Sequence, residues 1–203
     1  MKASRILIFL AIVSLMSCFM ACKGSCQGSK SDKDSTKIDT LWNDSVQHVF
    51  FDTPFGASRD EVIRNFAKHG FTLKRDISTD TRLSFDYDKS KYYTFGGMSW
   101  ELLNVYLTNG KFSSIQFYTP KTDKADAISD YNSIVNTVSQ KYNLTDIEPK
   151  DTIVYGNKVA FSKSDCEAWI TCYRYESIGN EIFYTVELVY VDTELDNAVS
   201  DEL

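Results

Sequence analysis

"WELLNVYLTNGKFSSIQFYTP", residues 100–120, places Asn109-Gly110 between two runs in which apolar and polar residues alternate. Both central residues of a type I′ turn need positive φ, which asparagine and glycine tolerate best, so the stretch reads as a β-hairpin. Gly156-Asn157 and Gly179-Asn180 repeat the signal, dividing "DTIVYGNKVAFS" (151–162) and "CEAWITCYRYESIGNEIFYTVELVYVD" (166–192) into further hairpins. "TRLSFDYD" (81–88) and "KYYTF" (91–95) read as additional strands. The 12 Tyr and 13 Phe suit such a sheet, because aromatic rings pack well on a half-buried pleated surface.

Two helices punctuate the strands. "FGASRDEVIRNFAKHGF" (55–71) has Ser58 as N-cap and Glu61 three positions on, a capping box, and Gly70 where a left-handed residue would end the helix. A second helix runs from about Asp123 to Tyr142, with Ile128, Tyr131, Val135, Val138 and Tyr142 forming one apolar stripe. A capped helix followed by a strand meander thus occurs twice. The order predicts an α+β fold: two helix-plus-antiparallel-strand units forming a sheet, with helices packed on one face.

The patterns "TPFGASRDEVIRNFAKHGF", "LLNVYLTNGKFSSIQFY" and "ISDYNSIVNTVSQKYN" resemble those of small lipoproteins of anaerobic Gram-negative bacteria with a β-lactamase-inhibitor-protein-like fold, over roughly residues 50–145. The matching motifs are structural in kind: a capping serine, a hairpin Asn-Gly, a glycine. The resemblance implies a fold; much of the family has no assigned activity, and the inhibitor it is named for binds an enzyme with the exposed face of its sheet. It carries over no contact residue of the inhibitor and implies no inhibition of a β-lactamase.

The N-terminus has its own logic. Basic "MKASR" leads into apolar "ILIFLAIVSLM", the length of a signal-peptide core and too short to span a bilayer. "LMSC" then resembles the bacterial lipobox, with Leu15 three residues before Cys18; "FMAC" offers Cys22 as the alternative, closer to the start of the polar chain. The resemblance implies cleavage before the cysteine and lipid on its thiol, which anchors the chain to a membrane of the bacterial cell envelope. An ordinary secretory signal is the competing reading. The domains expected are a signal peptide over 1–17 (to 21 if Cys22 is the anchor), a flexible tether over 18–44, one folded unit over 45–192 and an acidic tail over 193–203. Ser35, Thr40, Ser45 and Thr152 each follow an Asp in a pattern resembling a periplasmic O-glycosylation acceptor of the same bacteria, and chance matches to so short a motif are common.

Chemistry is sparse. The formal net charge is −6, and −8 once Lys2 and Arg5 of the acid-free leader are removed, with no basic cluster, so nucleic acid is not an expected partner. His48 and His69 have no ligand-spaced neighbours, and Asp76, Asp80, Asp86 and Asp88 lack the alternation and glycine of a calcium loop. Neither a metal nor another cofactor is expected. The activating contexts of nucleophilic enzymes are absent, and an enzyme is not expected.

What remains is a surface. In "CEAWITCYRY" alternation sends Cys166, Ala168, Ile170 and Cys172 to one side of a strand and Trp169, Thr171, Tyr173 and Tyr175 to the other. Six residues along a straight strand keep the two thiols too far apart to bridge, so they read as free. If the small side is core, Trp169, Tyr173 and Tyr175 form a binding surface for an envelope protein or peptide; the reverse arrangement puts the rings in the core. The expected function is a lipid-anchored, non-enzymatic binding module, most simply on the outer membrane. Its alternative is a structural or assembly-accessory lipoprotein. Metabolic labelling with an alkyne fatty acid should tag the chain. The label should vanish in Cys18→Ala, or in Cys22→Ala if the second site is used, and an unlabelled wild type would refute the anchor.

Overall fold

The computed structural model describes residues 41–149, 151, 153–177 and 180–197. In chain order the elements are β1 (Trp42–Asn43), β2 (Val49–Phe50), β3 (Thr53–Pro54), α1 (Arg59–Lys68), β4 (Phe71–Leu73), β5 (Arg82–Tyr87), β6 (Tyr93–Phe95) and β7 (Met98–Trp100). Then come β8 (Leu102–Thr108), β9 (Lys111–Lys121), α2 (Lys124–Ser139), β10 (Thr145–Asp146), β11 (Val154–Ser162), β12 (Cys166–Glu176), β13 (Ile182–Asp192) and α3 (Thr193–Asn197). Ordered structure therefore includes Trp42 and Asn43, within the stretch read as tether, and continues past residue 192.

One sheet of nine strands dominates, in the order β1-β11-β12-β13-β9-β8-β5-β4, with β10 also on the edge of β11. The hairpin at 100–120 lies inside it, and Asn109 and Gly110 take φ of 51° and 73° as its turn requires. Both helices start as their caps dictate. The Glu61 carboxylate accepts from the Ser58 backbone N–H (2.8 Å) and hydroxyl (2.7 Å), and Asp123 accepts from the N–H groups of Ala125 (2.7 Å) and Asp126 (3.1 Å).

The α+β expectation of two helix-plus-antiparallel-strand units, with helices packed on one face, is overturned. Among the described residues strand outweighs helix 48% to 20%, the main sheet is mixed, and the helices are three and short. The mixing comes from β1, which joins β11 in parallel. Over the core side lie two separate two-stranded ribbons, β2–β3 and β6–β7, beside the helices. Phe50 sits against Phe55, Phe95, Phe112, Phe117 and Tyr190 at centroid distances of 5.0 to 6.3 Å, and Phe95 stacks on Phe117 at 4.2 Å. The helices add Val62 and Phe66 from α1 and Ala127, Tyr131, Ile134 and Val138 from α2. Sequence periodicity finds helices easily and scattered aromatic residues poorly, which is why the helices were given too large a part.

The supposed hairpin at Gly156-Asn157 is also absent: both residues lie inside β11, at a register shift between Val154 and Gly156. Glycine is there for space. A Cβ on Gly156 would lie 2.5 Å from Cζ of Tyr131, so the α2 ring rests directly on the strand backbone. Of the turn at Gly179-Asn180, Gly179 lies outside the described residues, while Asn180 takes φ of 61° between β12 and β13.

Gly156→Ala should therefore destabilise the fold by about 1–3 kcal/mol through overpacking. In a double-mutant cycle read by urea unfolding, the cost should largely disappear on a Tyr131→Ala background, and purely additive effects would show that the ring does not set it.

Candidate functional site

Strand β12 has two chemically distinct sides. Cys166, Ala168, Ile170 and Cys172 belong to the core, and the two cysteines are free thiols that burial pushes up to about 11. They are space-filling and poorly nucleophilic. On the other side Trp169 and Tyr173 are half-buried and Tyr175 is 38% exposed.

Register carries this second side across the sheet. Val159, Trp169, Val189, Gln116, Asn104 and Ser84 follow one another directly across β11, β12, β13, β9, β8 and β5. Val159 and Val189 flank Trp169 and are buried, yet neither belongs to the main core cluster. The surface turned away from Phe50 thus has an apolar floor of its own. It carries Tyr175 and Phe183 stacked at 5.4 Å toward one end. Toward the other stand Trp42, Phe161 and Trp169, with successive centroids 5.7 and 6.2 Å apart.

Between these ring groups runs a polar chain. Ser84 Oγ donates to Asn104 Oδ1 (2.7 Å), and Asn104 Nδ2 (3.1 Å) and the Tyr106 hydroxyl (2.9 Å) both donate to Gln116 Oε1. Gln116 Nε2 donates to Glu187 Oε2 at 2.6 Å, and the Tyr173 hydroxyl approaches the same oxygen at 3.5 Å. Five strands are cross-linked by side chains. Glu187 is 5% exposed, and burial pushes its carboxyl up to about 7 against the opposing effect of bonds from Gln116 and Tyr173. Burial also raises the Tyr106 and Tyr173 phenols well above their usual range, so both remain donors.

At the Trp42 end, Glu167 Oε2 accepts from the Trp169 indole Nε1 at 3.0 Å. Trp42, Ser162, Lys163, Ser164, Asp165, Glu167 and Thr193 line a shallow groove there. Lys163 is held by Asp44 at 2.9 Å.

The other residues singled out from sequence fall elsewhere. Cys18, Cys22, Ser35, Thr40 and Thr152 lie outside the described residues, and Ser45 is exposed. His69 caps α1 and pairs with Asp52 at 2.7 Å, while His48 Nδ1 is 3.4 Å from the Val46 carbonyl. Among the described residues no group of His, Cys, Asp or Glu is arranged to hold a metal ion. Sequence reasoning missed Glu187, Gln116, Trp42 and Phe161. Only Glu187 left a signal: it is the one charged residue within the apolar run from Ile182 to Val191.

The network makes stability depend on pH in a definite direction. The folded chain binds the Glu187 proton more tightly than the unfolded chain does. This contribution is therefore complete below about pH 4.5 and is lost as pH rises through about 7. The loss corresponds to about 3 kcal/mol at 1.36 kcal/mol per pH unit. Glu187→Gln keeps the shape and abolishes the titration. Relative to wild type, the variant should gain stability by about that amount between pH 4.5 and about pH 8, measured by urea unfolding. A pH-independent difference would contradict the tighter hold on the Glu187 proton in the folded chain.

The chain matches no protein-family model, no curated protein and no solved structure, so a functional reading has to rest on this surface and on the sequence.

Proposed function

We propose that this protein is a lipid-anchored lipoprotein of the bacterial cell envelope that acts as a non-enzymatic module, binding a protein or peptide on the side of the sheet turned away from Phe50. The observation that carries the reading is the set of rings on that side: Trp42, Phe161, Trp169, Tyr173, Tyr175 and Phe183. Tyrosine and tryptophan contribute large contact area with few rotatable bonds and a polar tip, which is why protein interfaces are enriched in them.

Two features support the reading. The polar chain from Ser84 to Tyr173 holds the platform in one arrangement before any partner arrives, which lowers the ordering cost of binding. The leader and "LMSC" supply the envelope address.

A photo-crosslinking phenylalanine analogue tests the reading in bacteria producing the full chain. Placed at Trp42, Tyr175 or Phe183, it should yield discrete protein adducts. Placed at Asn132 on the exposed side of α2 or at exposed Tyr92, it should not. Adducts absent from the ring positions, or equally abundant from all five, would overturn it.

A further inference from the structure

The Trp42 end of this surface pairs its rings with carboxylates. Trp42 is 54% exposed and stands beside Phe161, which meets Trp169 edge-on at 79°. The Trp169 indole fixes Glu167 Oε2, and Glu167 Oε1 accepts no hydrogen bond from the described residues. Glu167 is half-buried, and among the described residues neither it nor Asp165 forms an ion pair. The one lysine lining the groove, Lys163, is taken up by Asp44.

A carboxylate drawn partly out of water without a counter-charge is costly, and covering it with a neutral or anionic partner raises that cost. A cation reverses it. Aromatic faces attract cations, and a guanidinium can stack on a ring while its fork of N–H donors reaches a carboxylate. Burial pushes the Glu167 carboxyl up against the opposing hydrogen bond from Trp169, so a cation at this carboxylate would favour its charged form. The chain's formal charge of −6 further favours the approach of a basic ligand.

We infer that this groove is the specificity subsite of the surface and takes a basic side chain of the bound protein or peptide, arginine before lysine, lying against Trp42 and paired with Glu167. The inference rests on the binding reading above and adds the chemical class of the residue recognised. The indole N–H of Trp169 serves as a positioning donor: it occupies Oε2 and leaves Oε1 for the incoming N–H.

The test uses the full chain in neutral detergent with nitrogen-labelled tryptophan, so that each indole N–H gives a magnetic-resonance signal. The probes are capped Gly-X-Gly peptides in which X is arginine, lysine, citrulline or glutamate. The arginine peptide, and more weakly the lysine peptide, should shift the Trp42 and Trp169 signals saturably and leave buried Trp100 unmoved. Glu167→Gln should weaken the arginine peptide about tenfold, the scale of one lost charge-assisted hydrogen bond. Trp42→Ala, at an exposed position where folding should survive, should also weaken it. A citrulline peptide that binds as well as arginine, an arginine affinity indifferent to Glu167→Gln, or no saturable shift with any peptide would each overturn the inference. Adducts formed from Trp42 by a partner while the arginine peptide shifts nothing would defeat this inference and leave the binding reading standing.

Discussion

The aromatic plug at Phe50 and Phe51 is the constraint from which the rest follows. A nine-stranded sheet without a continuous helical layer must bury one side by several pieces of chain, and here the β2–β3 hairpin supplies Phe50 and Phe51 alongside β6–β7 and the apolar residues of α1 and α2. Phe51 and Asp52 hold φ of 50° and 59°, an uncommon conformation for residues with a side chain and one that costs about 1 kcal/mol or more each. The turn lets two successive rings point into protein, Phe50 toward Phe117 and Tyr190 and Phe51 toward Phe66 and Phe71. It is pinned from α1, since Asn65 Nδ2 donates to the Asp52 carbonyl (3.2 Å) and His69 meets the Asp52 carboxylate. The helix is placed by the plug as much as the plug by the helix.

With the plug filling one side, the opposite side of the long strands is left to a different chemistry. Its polar chain is drawn from residues between 84 and 187 and spans β5, β8, β9, β13 and β12. Satisfied networks of this kind hold a surface in one arrangement, and their members are costly to remove singly because each leaves a buried partner without its bond. Glu187 is the member that resists, since its charged form is disfavoured by burial. A purely structural optimum would place an amide there. The acid makes the middle of the platform responsive to pH near neutrality while the flanking rings are not.

The parts of this architecture set by neighbouring residues were legible in the sequence. The 100–120 hairpin, the cap at Ser58, the start of α2 near Asp123 and the alternation of β12 all depend on contacts within one element or between adjacent ones. What was hidden depends on distance along the chain. Two-residue strands such as β1 leave no periodic trace, so Trp42 looked like tether. The glycine of β11 looked like a turn because its true reason, the Tyr131 ring, lies 25 positions earlier on α2. The bond between Gln116 and Glu187 joins residues 71 positions apart through the β9–β13 register, which no local pattern encodes. Aromatic abundance pointed correctly to sheet and gave no hint that two short ribbons, β2–β3 and β6–β7, would share in covering the core.

The placement of the rings is itself a consequence of the core. Side chains on a strand alternate with period two, so a slip of β12 by one residue would carry Trp169, Tyr173 and Tyr175 inward and Ala168, Ile170 and Cys172 outward. The space under α2 forbids this: Tyr131 already lies against the backbone of Gly156, directly paired with Cys172, and the room left along β12 suits alanine, cysteine and isoleucine. The small side of the strand is thereby locked to the core, and its partner side must turn outward even though it holds the larger apolar area. Trp169 then lies between Val159 and Val189 with its N–H committed to Glu167, so one residue joins the apolar floor to the carboxylate at the groove. The surface proposed to bind is what remains when a core has room for only small residues and the chain supplies large ones in alternation with them.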